Sequence, residues 1–311
     1  MFVFACTLRT IRSFTTALLL AVLVVAAGCR QQTPAPTQQS VVTAEWLAQH
    51  LDDATVVPIH IGSEEKYDEE HIPGARYLGF AEFAVRRDSA SDLRNELPQP
   101  DVLRDKLEAL GLSDDSQIVV YSDNERPLFA TRFLFTLDYV GLGDRAYLLD
   151  GGLLTWKAQG HPVTSEVPTV RRGTLSQEPA RNLVVDADWI LQRIGNPGHI
   201  VVDARSHEQY AGSEEETESR QGHIPGAVSL PMSELYDQAG KIRHAAELER
   251  LFQTVGYEPG DTVVAYCVTG VLGTAATFAA RQLGYEILLY DGSIEDWRAD
   301  PERPMQWGGG G

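Results

Sequence analysis

The sequence predicts an α/β protein of two tandem domains, each a mainly parallel sheet with helices on both faces. Three observations predict it. Short apolar, β-favouring runs alternate with helix-period stretches, the pattern of a covered parallel sheet. The series of blocks occurs twice in the same order, the mark of duplication. The chain has 311 residues, enough for two ordinary domains.

Element by element, Val41-Val42 is a short strand, and Thr43 caps a helix beginning Ala44-Glu45-Trp46-Leu47. The same unit returns 143 residues later as Val184-Val185-Asp186-Ala187-Asp188-Trp189-Ile190. Val56-Val57-Pro58-Ile59 pairs with Ile200-Val201-Val202, and Tyr67 with Tyr210. His71-Ile72-Pro73-Gly74-Ala75 returns as His223-Ile224-Pro225-Gly226-Ala227, an offset of 152. Gln117 to Tyr121 reads as a strand, Ala130 to Tyr139 as a helix, and Ala146 to Leu149 as a strand. Asp150-Gly151-Gly152 with Trp156 returns as Asp291-Gly292-Ser293 with Trp297. The expected organisation is a signal at 1–28, a polar tether at 29–40, a first domain at 41–160, a linker at 161–181, a second domain at 182–300 and a tail at 301–311. The linker carries Pro, Gly and polar residues.

Hydrophobic residues make up 43% of the chain and charged ones 23%, a globular balance. The formal charge of −18 excludes nucleic acid as a natural partner, since phosphates require a basic face. The first 28 residues read as a targeting signal. Arg9 and Arg12 precede the short apolar run Ala17 to Val25, and Ala26-Ala27-Gly28 leads into Cys29. Ala-Ala-Gly-Cys resembles a bacterial lipobox with Ala26 where Leu is usual, so Cys29 is the expected lipidation site. The alternative is an ordinary signal cut near Gly28. The Pro-containing stretch Gln31 to Ser40 is then a tether. The expected location is the cell envelope, lipid-anchored and facing the periplasm or exterior.

Three cysteines are present. Cys6 leaves with the signal and Cys29 takes the lipid, so Cys267 is the one thiol left to the folded domains. It follows the strand-like run Val263 to Tyr266 and opens the loop Val268-Thr269-Gly270-Val271-Leu272-Gly273, ahead of a helix from Thr274 to Leu283. In such sheets, sites form beyond the carboxyl ends of strands. Loop amides and a helix N-terminus stabilise a thiolate there. Gly270 and Gly273 permit positive φ or close backbone approach. The bland alternative is a buried, inert cysteine.

These blocks resemble the rhodanese family of sulfurtransferases in its tandem-domain form. The carrying motifs are His-Ile-Pro-Gly-Ala in both halves, Asp203-Ala204-Arg205, Tyr266-Cys267-x-x-Gly270-Val271, and Asp291-Gly292-Ser293 with Trp297. The resemblance implies a catalytic second domain. Cys267 takes a sulfane sulfur from thiosulfate or 3-mercaptopyruvate, holds it as a persulfide and yields it to cyanide or a thiol, without cofactor or metal. Val268 to Gly273 would cradle the sulfur anion, and Thr269 could add a hydroxyl. Arg205 is the candidate to hold the donor's oxygens, because a guanidinium presents forked donors. Asp203 reads as a pin for the loop or that arginine, or as a strand-end cap. Arg220 resembles an arginine of bacterial members, or is a solvated surface residue. His71 and His223 read as structural, and Glu214 to Glu216 with Glu218 as a solvated loop. The first half has Ser122 at the cysteine position, with His60 and Gly62 opposite Asp203 and Arg205, and reads as inert.

The loop departs from both donor patterns of the family. Val268-Thr269 stands where thiosulfate-using members carry Arg-Lys, Leu272 where Thr is usual, and Gln209 where a second arginine often falls. The loop therefore leans toward mercaptopyruvate or another less charged donor. A phosphatase of related fold needs an arginine six residues after the cysteine, where this chain has Gly273. Two rivals to an enzyme are a lipid-tethered persulfide carrier or sensor without turnover, and a redox switch, which lacks a resolving cysteine.

Overall fold

A computed structural model describes residues 40–85, 89, 92–123, 127–176, 181–212 and 221–308. Cys29 and Arg220 lie outside them, as do Asn124, Glu125 and the Glu214 to Glu218 run. The first sheet contains β1 (Val41–Val42), β2 (Val56–Ile61), β3 (Arg76–Leu78), β4 (Gln117–Ser122) and β5 (Ala146–Leu149). All pairs are parallel, in the order β1-β5-β4-β2-β3. Its helices are α1 (Ala44–His50), α2 (Glu64–Glu69), α3 (Pro100–Ala109), α4 (Leu128–Tyr139) and α5 (Gly152–Ala158).

The second sheet repeats the plan with β6 (Val184–Val185), β7 (His199–Asp203), β8 (Val228–Ser229), β9 (Thr262–Tyr266) and β10 (Glu286–Tyr290), in the order β6-β10-β9-β7-β8. Its helices are α6 (Ala187–Leu191), α7 (His207–Ala211), α8 (Ala245–Thr254), α9 (Gly273–Gln282) and α10 (Ser293–Ala299). The two domains and their parallel sheets are those expected from the alternation. The caps are in place: Thr43 accepts the Trp46 amide and Asp186 the Trp189 amide. Central strands such as β2 and β4 are buried along nearly their whole length, which explains their apolar runs without alternation.

The sheet order places β9 at the centre of the second domain, beside β7. From β7 the chain runs outward to β8 and then returns past β7 to β9, so the switch point at which such sheets place their sites lies beyond the carboxyl ends of β7 and β9. Register sets Asp203 beside Tyr266, the last residue before Cys267.

The described parts of the segments read as linker and tail, 161–176 and 301–308, are straps held by hydrogen bonds. Thr164 bridges His71, Gly173 donates to the Glu108 carbonyl, and Leu175 joins the first domain's core. Gln306 bridges His223 in the same way. Each strap also takes a tryptophan N–H, Trp156 to the Pro162 carbonyl and Trp297 to that of Pro304. Pro and Gly mark turns, but these segments still bury side chains and satisfy backbone groups. Both HIPGA histidines are structural, buried, with Nδ1 on the carbonyls of Tyr67 and Tyr210 and rings stacked on those tyrosines.

Candidate active site

Cys267 leaves the end of β9 and is 1% exposed. Burial pushes its thiol above the ordinary value, while the amides of Gly273, Thr269 and Leu272 pull it down. The sequence led us to expect a stabilised thiolate; in the structure the amide nest is present but burial outweighs it at rest. The same donors gain importance once the sulfur carries a full negative charge in a site that excludes water.

Gly270 makes the turn possible. Its φ is 77°, and a Cβ there would lie 2.4 Å from Asp291 Oδ1 and 2.6 Å from the Asp291 carbonyl. Ser293 holds the loop from behind. Its hydroxyl accepts the amides of Cys267 at 3.1 Å and Gly270 at 2.9 Å, and donates to the Tyr290 carbonyl at 2.9 Å. That uses one donor and both acceptor sites of a hydroxyl. Ser293 does this at φ 56°, a left-handed conformation costly for a non-glycine residue; its counterpart in the first domain is Gly152 at 55°. The amides of Ile294 and Glu295 close on the carbonyls of Cys267 and Val268.

Arg205 is drawn inward. It is 2% exposed. Its Nε and Nη2 bind the Asp203 carboxylate, and Nη2 also reaches the Gly222 carbonyl at 2.9 Å. These bonds fasten Nε and Nη2 of Arg205 to Asp203 and to the Gly222 carbonyl. Asp203 is its pin, and also takes the Tyr266 hydroxyl at 2.7 Å. A buried guanidinium needs such a partner, and its own sequence neighbour two residues away supplies it.

The first domain has no thiol at the matching place. Ser122 occupies the end of β4, and Asp123 turns inward to accept the Ser63 amide and to approach His60 at 3.8 Å. A Cβ on Gly62 would lie 2.5 Å from Asp123 Cγ, so that carboxylate fills the place where the second domain has Arg205. Burial lowers His60 to about 4, with Asp123 opposing.

The sequence alone missed what the first domain adds to the second domain's loop. Asn95 donates its side-chain amide to Thr269 Oγ1 at 3.0 Å, and Leu97 donates its backbone N–H to Asp291 at 2.7 Å. Arg94 pairs with Glu295 at 2.7 Å. Asn95 has a positive φ of 64°, and neither its type nor its distance of 174 residues from Thr269 carries a sequence signal.

A buried cysteine at the carboxyl end of a central parallel strand, with loop amides and a helix start around its sulfur, marks an α/β protein with a thiol at the switch point of its sheet. The chain belongs to the rhodanese family: the rhodanese-like domain matches residues 43–159 and again 186–300. It is 34% identical over 283 residues to a Pseudomonas aeruginosa protein named a probable 3-mercaptopyruvate sulfurtransferase, covering 86% of this chain and 98% of that one. It is 27% identical over 280 residues to the thiosulfate sulfurtransferase of Gallus gallus, covering 85% and 96%. The structure of SseA from Escherichia coli, described among 3-mercaptopyruvate sulfotransferases, superposes with a TM-score of 0.71 at 26% identity, covering 82% of this chain and 98% of that one. The chain is thus a tandem-domain sulfurtransferase related to the thiosulfate and 3-mercaptopyruvate sulfurtransferases.

Proposed function

We propose that the protein moves sulfane sulfur through a Cys267 persulfide, with 3-mercaptopyruvate favoured over thiosulfate as donor. The Cys267 thiolate attacks the donor's transferable sulfur, forming Cys–S–S⁻ and releasing pyruvate, as its enolate until protonated, or sulfite from thiosulfate. An acceptor thiolate or cyanide then attacks the outer sulfur, and the Cys267 thiolate leaves. The observation that carries the reading is the set of amides from Thr269, Leu272 and Gly273 on the sulfur. The donor preference is supported by Val268 and Thr269, which bring no cation, and by Arg205, whose Nε and Nη2 are held by Asp203 and the Gly222 carbonyl. The name of the Pseudomonas aeruginosa relative points the same way. Arg220 is a further candidate for a donor's charge.

The Ala26-Ala27-Gly28-Cys29 motif supports export with a lipid on Cys29. Among the described residues no helix is long and apolar enough to cross a membrane. Cys29→Ala releases the protein from the membrane fraction on this reading; unchanged fractionation argues against it.

The function is tested by offering thiosulfate and, separately, 3-mercaptopyruvate, with cyanide or a dithiol as acceptor. Intact-mass analysis shows the gain of one sulfur atom, and Cys267→Ser abolishes it. Protein that gains no sulfur and turns over neither donor sinks the enzyme reading.

A further inference from the structure

We propose that Arg132, in the domain without a nucleophile, is a positioning residue for the sulfur-holding loop of the other domain. Arg132 lies in the first turns of α4 and is wholly buried, at 0% exposure. Its guanidinium crosses the domain boundary. Nη1 donates to Asp291 Oδ1 at 2.5 Å and lies 3.5 Å from the Gly270 carbonyl, while Nη2 donates to the Asn95 carbonyl at 2.5 Å. The other Asp291 oxygen takes the Leu97 amide. One side chain thereby ties together Asp291, Gly270 and Asn95.

Those three groups bracket the loop. Gly270 rests directly against Asp291, and its positive φ sets the turn in which the amides of Thr269, Leu272 and Gly273 meet the sulfur. Asn95 holds the Thr269 hydroxyl. Residues 269 and 270 are both located from the first domain, and Arg132 fixes the two contacts relative to each other. A buried ion pair is seldom the cheapest way to glue two domains, since apolar side chains do so without desolvating charge. The guanidinium adds direction, because its planar donors accept only one arrangement of partners. The equivalent position in the second copy is Ala275, so the fold itself does not need the arginine.

The inference rests on the reading of Cys267 as the sulfur-carrying nucleophile, and its test needs no sulfur donor. In the full-length protein, the rate of Cys267 alkylation by iodoacetamide is followed against pH on the Cys267 peptide, alongside hydrogen exchange of loop amides 269–273. Arg132→Lys keeps the charge but cannot span the three acceptors. We expect its alkylation midpoint to rise by roughly half a pH unit or more as the amides lose their aim. Loop exchange quickens by about tenfold, and where a donor is used, sulfur loading slows by ~10–100-fold. Arg132→Met shows the same changes, larger. A folded Arg132→Lys protein with wild-type midpoint and loop exchange overturns the proposal, even if Arg132→Met shifts, because charge alone would then suffice. Should Arg132→Met not fold, Arg132→Lys decides by itself. A shifted midpoint without turnover on any donor would leave the positioning role standing and remove the transfer reaction instead.

Discussion

Thr131 and Thr274 occupy the same position in the two halves, 143 residues apart, and their hydroxyl oxygens lie 3.2 Å from each other. They mark the local twofold axis on which α4 packs against α9. The same offset relates Phe135 to Phe278, and the two are exchanged: Phe135 sits in the second domain's core cluster and Phe278 in the first's. It also relates Asp138 to Arg281, which form an ion pair across the axis. Such self-complementary contact is the geometry of a symmetric dimer, here within one chain.

The exchanged rings couple the stability of the domains. Phe278→Ala empties space in the first domain's core from a residue of the second, at a cost of about 3–5 kcal/mol. Urea unfolding followed by fluorescence of single-tryptophan variants, retaining Trp156 or Trp297, is expected to give one shared transition moved to lower urea. Two separate transitions, with only one displaced, would contradict the coupling.

Gly270 and Gly226 have nearly the same φ, 77° and 78°, but only Gly270 has a neighbour where a Cβ would go. Gly226→Ala therefore meets backbone strain alone, about 1 kcal/mol. Gly270→Ala meets the strain and the Asp291 carboxylate together, and is expected to lower persulfide formation by more than ~10-fold. Thermal melts and sulfur-loading rates of the two variants separate the effects.

Ser293→Ala leaves two buried loop amides without their shared acceptor. The expected loss is about 1–3 kcal/mol for each amide that finds no substitute. Ser293→Gly removes the φ strain and keeps the hydrogen-bond loss, so it is predicted to be more stable than Ser293→Ala but equally slow in sulfur loading. Denaturant midpoints and single-turnover rates test both.

The hydrogen bond between Asn95 and Thr269 joins the first domain to the Cys267 loop. Asn95→Ala and Thr269→Val are each expected to slow sulfur loading, and the double variant to fall short of their sum. The coupling is predicted at about 0.5–1.5 kcal/mol in transition-state free energy. Additive rates would show that the contact is idle.

His60 gives a pH signature. Burial holds it neutral in the fold, down from 6.5 to about 4, whereas in the unfolded chain it protonates near 6.5. Below pH 6.5 the unfolded state takes up a proton that the folded state resists, so stability falls as pH drops toward 4. The contribution is on the order of 3 kcal/mol at its full extent. His60→Gln should flatten the slope of urea midpoint against pH between 6.5 and 4, and an unchanged slope would assign the acid sensitivity to other groups.

The sequence by itself determined the two copies, their parallel sheets, and Cys267 as the thiol of the loop, with Ser122 in its place in the first copy. Those features are written in local patterns: apolar runs, cap residues such as Thr43 and Asp186, and motifs repeated at a fixed offset. The tertiary structure decided which polar groups meet. It turned Arg205 inward onto Asp203, because burial leaves a guanidinium no alternative to a carboxylate within reach. It drew Asn95 and Arg132 onto a loop lying 138 to 174 residues away in the chain, and Leu97 onto Asp291 beside it. Such pairings depend on how α4 and α9 cross, and a crossing is fixed by packing against distant elements rather than by any residue's neighbours in sequence.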